Sequence, residues 1–275
     1  MFMCYWENEN RYIREFVEHY ITIGYNNIFI YDNNDKNGEC FEEVINDYIK
    51  NGFVKIIDYT ERNNNTRPQL DAYIDCYKRN NRLYDWISFF DLDEFLELNQ
   101  KYNSIQNFLN DKIFEKCKNI KINWLMCKNE NLYYENKSLV ERMNQINYDD
   151  IANKHIKSTV KGKLSVNYWE NAINPHTSNI NILSCSSSGK KIPFDSPFNY
   201  PPDFENAKLK HYQYKSFEEY CLKIKRGVGD SPKDLSKEFV KQNYKRLYLE
   251  NKNNEEKLRI INNIFKVKFV THNIT

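Results

Sequence analysis

The sequence predicts an α/β fold built on a mostly parallel sheet flanked by helices, with a helical extension at the carboxyl end. Three observations predict it. Short apolar runs rich in β-branched and aromatic residues alternate with helix-spaced segments through the first 100 residues. Two of those runs, Ile28 to Tyr31 and Trp86 to Phe90, end in Asp, the punctuation expected where a buried strand leaves a sheet. Of the 275 residues, 40% are hydrophobic and 15% aromatic, enough to build a large core and to exclude global disorder.

Taken in order, Phe2 to Tyr5 enters as the first strand, and Tyr12, Ile13, Phe16, Val17, Tyr20 and Ile21 recur at helix spacing. Ile28 to Tyr31 reads as a buried strand ended by Asp32-Asn33-Asn34. Phe41, Val44, Ile45, Tyr48 and Ile49 give a second helix that stops at Asn51-Gly52, and Val54 to Ile57 gives the next strand. Pro68 opens a third helix running through Tyr77, and Trp86 to Phe90 is a strand ending in Asp91-Leu92-Asp93-Glu94. This alternation predicts βαβ units. Beyond residue 100 the pattern loosens: a helix from Ser104 to Phe114, a strand from Ile120 to Met126, an irregular stretch to Asp150, and a strand pair from His155 to Val166. Ser184 to Gly189 reads as a flexible loop, Phe217 to Ile224 as a helix, and most of Lys237 to Ile264 as a helix with a solvated face. The expected organisation is one domain over 1–230, with halves at 1–100 and 101–230, followed by a helical extension over 231–275.

Composition narrows the function. Lys+Arg 40 against Asp+Glu 38 leaves +2, too little to gather nucleic acid. No run is long and apolar enough to span a bilayer, so a cytoplasmic chain with room for peripheral membrane contact is expected. Seven cysteines, odd in number and without a C-x-x-C pair, predict reduced thiols. The chain starts inside its first expected strand, which leaves a truncated start open.

Ligands of open parallel sheets bind beyond the carboxyl ends of the strands. Three polar clusters fall there: Glu7-Asn8-Glu9, Asp32 to Asp35, and Asp91-Leu92-Asp93. The third is the strongest, because two carboxylates two residues apart at a strand tip can face one hard cation, and acidic groups beside an apolar strand need a cation or base to offset desolvation. A solvated turn capping the next helix is the rival explanation. His211 and His176 are candidates for one further ligand, against a core histidine and a loop histidine respectively. Lys215, followed by the helix-opening Ser216, suits an anion, as does Arg226-Gly227-Val228-Gly229, where a plain helix stop is the rival. Arg67, Gln69 and Asp71 open the third helix toward the same crevice or simply solvate it. Glu141, beside Arg142, is the candidate base for a hydroxyl, against an ordinary ion pair.

Together, Trp6-Glu7-Asn8-Glu9, Tyr31-Asp32-Asn33-Asn34, Arg67-Pro68-Gln69-Leu70-Asp71-Ala72-Tyr73 and Trp86 to Phe95 make the chain resemble glycosyltransferases of the family 2 and family 92 type. Later landmarks follow in order: Trp124, Val140-Glu141-Arg142, Lys157-Ser158, Asn174-Pro175-His176, and His211-Tyr212 with Lys215 to Tyr220 and Arg226-Gly227. Departures are Glu7 where Lys is usual, Asp35 where Ser is usual, and Cys127-Lys128-Asn129 in place of a Phe-Gly-Ser turn.

The resemblance implies a GT-A-like, Rossmann-type fold and a D-x-D-bound divalent cation, Mn2+ before Mg2+. It implies transfer of a hexose, with inversion, from a nucleotide-sugar, UDP-linked by preference, to a hydroxyl of a glycan or lipid-linked glycan. It carries Asp32 to the nucleoside, Asp91 and Asp93 to the ribose and metal-diphosphate, His211 to the metal, and Lys215 to the diphosphate. Two rivals remain: an inactive nucleotide-sugar- or glycan-binding module, and a nucleotidyltransferase, against which the absence of a Gly-rich basic loop after the first strand argues.

Overall fold

The computed structural model describes residues 2–4, 9–34, 38–60, 67–128, 130–226 and 233–266. The amino-terminal part forms a three-stranded sheet, β1 (Phe2–Cys4), β2 (Ile28–Asp32) and β3 (Val54–Asp58), parallel throughout in the order β1-β2-β3. Helices α1 (Ile13–Thr22) and α2 (Phe41–Lys50) supply the crossovers, as the periodicity predicts. β2 is buried on both faces: Ile28 and Ile30 join the core beneath α1 and α2, and Tyr31 joins a second core with α3 (Pro68–Asn80). Gly52, at φ 78°, ends α2 with paired backbone bonds from Gly52 N to Ile49 O and from Phe53 N to Tyr48 O. That left-handed residue lets the chain reverse straight into β3. Pro68 stands at the first turn of α3, where its missing N–H has no partner to lose.

The expectation of one mostly parallel sheet holds only for these three strands. A second, eight-stranded sheet is mixed, and it contains β4 (Trp86–Ser88), β5 (Glu94–Leu98), β6 (Asn119–Lys128), β7 (Gln145–Ile146), β8 (Ile156–Lys161), β9 (Ser184–Cys185), β10 (Lys191–Ile192) and β11 (Ala207–His211). β4 pairs antiparallel with β8, and β8 pairs antiparallel with β6. β11 lies parallel to β6 and antiparallel to β5. The local pattern around β4 records its burial but not its partner, which comes from residues about 70 positions later.

Several local expectations change. The helix from Ser104 resolves into α4 (Ile105–Leu109), capped by Ser104, and a separate 3-10 turn at Lys112–Phe114. The irregular stretch before Asp150 holds α5 (Leu139–Arg142) and β7. The strand pair expected over His155 to Val166 is the single strand β8, stopped at Gly162, where an added Cβ would lie 1.9 Å from Tyr84 O. The serine-rich loop is β9 and the turn into β10, its Ser186 and Ser188 hydroxyls both donating to Asp203. Cys117 and Cys185 form a disulfide that ties the start of β6 to β9, against the expectation of reduced thiols. Widely spaced cysteines brought together by sheet pairing leave no motif in the sequence.

Carboxyl-terminal helices α6 (Phe217–Arg226), α7 (Lys233–Glu250) and α8 (Glu255–Phe265) share an apolar cluster of Cys221, Ile224, Leu247, Ile260 and Ile261. Most of Lys237 to Ile264 is helical, as expected, in two helices parted at residues 251–254, where Asn254 caps α8 by accepting from Lys257 N at 3.0 Å. Among the described residues no helix is long and apolar enough to cross a membrane.

Candidate active site at the tip of β4

After β4 the chain turns tightly through Asp91-Leu92-Asp93 into β5, closed by Glu94 N donating to Asp91 O at 3.0 Å. The two aspartates face different partners. Asp91, its side chain 31% exposed, accepts Gln69 Nε2 at 2.8 Å on Oδ1 and Lys157 Nζ at 2.8 Å on Oδ2. Gln69 sits in the first turn of α3, and Lys157 reaches in from β8. Its neighbour Tyr73, one turn along α3, accepts a bond from Lys157 Nζ at 3.3 Å.

Below this pair lies Glu94, with no solvent exposure. It accepts the Trp124 indole N–H at 2.7 Å and the Asp91 backbone N–H at 2.8 Å, with Lys157 Nζ at 3.8 Å. Burial, reinforced by Asp91 and Asp93 and opposed by Lys157, pushes the Glu94 carboxyl well above the usual range. Burial works against the Lys157 charge, but Asp91 and Glu94 outweigh it and hold the ammonium well above the ordinary lysine range.

Asp93 is buried beside His211, at the end of β11, and Lys223, on α6. His211 Nε2 lies 3.5 Å from Asp93 Oδ1, and Lys223 Nζ donates to Oδ2 at 3.2 Å. Burial alone would raise the Asp93 carboxyl, yet Lys223, His211 and Lys215 hold it well below the usual range. Lys215 donates to both oxygens of Glu9, at 2.9 and 2.8 Å, closing this side of the site. Burial nonetheless leaves the Glu9 carboxyl raised.

Trp124 joins the two halves. Its ring packs on His211 at 4.2 Å, stacks on His155 at 4.8 Å and meets His176 edge-on at 5.2 Å between centroids. His176 holds the Ile156 carbonyl through Nδ1 at 2.9 Å, and burial with the nearby Lys157 charge pushes its imidazole down to about 3. Among the described residues it pairs with neither aspartate, so the fold makes it a packing partner of Trp124.

Of the residues singled out in the sequence, Glu9, Gln69, Asp91, Asp93, His211 and Lys215 come together. Asp32 ends β2 with its carboxylate accepting from Asn34 N at 2.9 Å; its charged neighbours are Glu42 and Asp58. Beside it the buried Asn33 amide has, among the described residues, no hydrogen-bond partner at either side-chain atom. Arg67 donates to the Ala172 carbonyl at 2.9 Å. Glu141 is exposed and completes a capping box with Ser138, accepting its backbone N–H at 3.1 Å and its hydroxyl at 3.0 Å. It is a helix cap, and its sequence neighbour Arg142 turns inward to Glu219 and the Tyr12 hydroxyl. Arg226 closes α6, and its side chain, like residues 227–232, lies outside the described residues.

Missed by sequence reasoning were Tyr73, Glu94, Trp124, Lys157 and Lys223 as partners of the tip. A lysine inside an otherwise buried strand was the readable signal for Lys157, since an unpaired ammonium there would carry a large desolvation penalty.

Among the described residues no group of three His, Cys, Asp or Glu side chains stands assembled to hold a metal ion. Two do converge. Asp93 Oδ1 and His211 Nε2 face one another, and His211 Nδ1 is buried without a hydrogen-bond partner among the described residues. One carboxylate oxygen and one imidazole nitrogen fit a divalent cation that draws its other ligands from a diphosphate and water.

The tip thus gathers two carboxylates, two lysines and a histidine beside the first turn of α3. No curated protein matches the chain. The model of Glycosyltransferase family 92, in contrast, matches residues 2–261, a span that takes in both halves of the site, α6, α7 and the first part of α8. The chain therefore belongs to glycosyltransferase family 92.

Proposed function

We propose that the chain is a GT-A-type hexosyltransferase that takes a nucleotide-sugar, UDP-linked by preference, and transfers its sugar with inversion to a hydroxyl of a glycan or lipid-linked glycan. The observation that carries this reading is the meeting of Asp91 and Asp93 with Gln69, Lys157, Lys223 and His211 at one strand tip. Asp91, fixed from two sides and still partly exposed, is oriented to accept a ribose hydroxyl. Asp93 and His211 would hold the cation, Mn2+ before Mg2+ because of the imidazole, and when bound it would neutralise charge on the departing diphosphate. Lys223 and Lys215 add fixed positive charge on the same side. As the acceptor oxygen bonds to the anomeric carbon, a carboxylate base takes its proton, and the bond from that carbon to the diphosphate oxygen breaks with its electron pair going to the diphosphate.

A second reading, an inactive nucleotide-sugar- or glycan-binding module, is favoured by one observation: lysines already pair with an oxygen of each aspartate. Calorimetric titration with UDP, UDP-galactose, UDP-glucose and GDP-mannose, with and without manganese, separates the readings when done beside Asp93→Ala. Manganese-dependent binding of one nucleotide, lost in the variant, and turnover of its sugar support the transferase. Binding without turnover on any acceptor supports the module, and no binding by well-folded protein rejects the D-x-D site.

A further inference from the structure

A cavity of about 350 Å3 lies between the start of α6 and the end of α7, lined by Tyr214, Phe217, Tyr220, Leu247, Glu250 and Asn251. We propose that it is a saccharide-binding subsite that holds a sugar ring of the acceptor glycan, a role that rests on the transferase reading above.

Its chemistry is that of a sugar site. Tyr214 and Tyr220 form an edge-to-face corner with centroids 4.9 Å apart, and Phe217 and Leu247 extend the apolar wall. A pyranose ring presents an apolar C–H face to such a wall and turns its hydroxyls outward. Glu250, Asn251 and Asn131 line the same cavity and can receive them, and Lys257, held 4.9 Å over the Phe217 ring, adds a charged donor. Acids and bases both line the cavity, so it matches a neutral polyhydroxylated ligand better than an anion. Apolar walls with a few placed polar groups are the usual make-up of small-molecule sites of this size.

Its location joins it to the transfer site. Tyr214 and Ser216 line the cavity, and Lys215 between them grips Glu9. On α6, Phe217 and Tyr220 face the cavity while Lys223, three residues after Tyr220, reaches Asp93. The helix is pinned from below, where Glu219 accepts the Tyr12 hydroxyl and the Arg142 guanidinium. A sugar held against Tyr220 is thus carried by the same short helix that carries Lys223. The carboxyl-terminal helices complete the pocket, since Leu247, Glu250 and Asn251 all come from the end of α7 and the turn after it.

Saturation-transfer NMR on the full chain tests this, with methyl β-galactoside, methyl β-glucoside, methyl α-mannoside and methyl β-N-acetylglucosaminide as probes at millimolar concentration. The expected result is saturation of ring protons of at least one probe, reduced at least fivefold in Tyr214→Ala and in Glu250→Ala and retained in Asp93→Ala. Tyr214 and Glu250 are exposed enough that both variants should keep the wild-type Tm, measured alongside. Saturation that Tyr214→Ala and Glu250→Ala leave intact, or no saturation by any probe, overturns the subsite. Because Asp93→Ala tests nucleotide binding and the cavity variants test saccharide binding, failure of one reading is distinguishable from failure of the other.

Discussion

Lys157 Nζ lies 2.8 Å from Asp91 Oδ2 although 66 residues separate them. The contact follows from sheet register. β8 runs antiparallel to β4 with Ser88 opposite Thr159, and the pairing continues as Phe89 N donates to Ser158 O at 2.9 Å. Two steps beyond that register, Lys157 arrives beside the residue that follows Phe90. The lysine side chain has no solvent exposure, so its charge depends on Asp91 and Glu94 to offset its burial, while Asp91 itself stays partly open.

Lys157→Met should therefore destabilise the chain by about 3 kcal/mol, the scale of breaking a buried ion pair by removing one partner. Chemical denaturation measures the loss. Adding Glu94→Gln should recover part of it, because the neutral amide removes the more deeply buried of the two carboxyls that Lys157 serves. Equal losses in the single and double variants would show that Lys157 acts on Asp91 alone.

Stability should fall in mild acid through His176. An unfolded imidazole takes its proton near pH 6.5, whereas in the folded chain burial and the Lys157 charge hold His176 neutral down to about 3. The unfolded state thus binds the proton first, the full stability is present above pH 6.5, and it declines by about 1.4 kcal/mol per unit as pH drops toward 3. His155, also shifted down by burial, adds to the same slope. Denaturation midpoints between pH 7 and 4 should flatten in His176→Asn; an unchanged slope would place the acid sensitivity elsewhere.

Glu141→Gln should leave glycosyl transfer within about twofold of wild type and cost roughly 0.5–1 kcal/mol in stability, the worth of a helix cap. A loss of rate of about 100-fold or more with normal nucleotide affinity would restore the base role that the sequence suggests.

Reduction of the Cys117–Cys185 disulfide, which closes a loop across a sequence separation of 68, should lower stability by about 4 kcal/mol in the chain-entropy view. Melting with and without reductant measures it. The Cys117→Ala/Cys185→Ala variant should match the reduced protein and show no further response to reductant.

The amino-terminal layers are written in local sequence. Helix spacing around Phe16 and Ile45, the Gly52 stop, and the apolar runs at Ile28 and Val54 are local facts, and local propensity and burial pattern suffice to read them. The D-x-D tip was legible for the same reason: two acids directly after a buried run call for a bound or neighbouring cation unless the turn is solvated. Which cations lie nearby was not legible. Lys157, Lys223 and Trp124 reach the tip through antiparallel register, a helix packing angle and a parallel strand neighbour; the buried strand around Lys157 signals that it needs a partner, but nothing near these residues says which. Glu141 shows the converse, a residue whose neighbours in sequence suggested chemistry and whose position in space made it a cap. Register and packing join distant segments through pairwise fit across the whole core, so the partner of each charge was decided only by the tertiary structure.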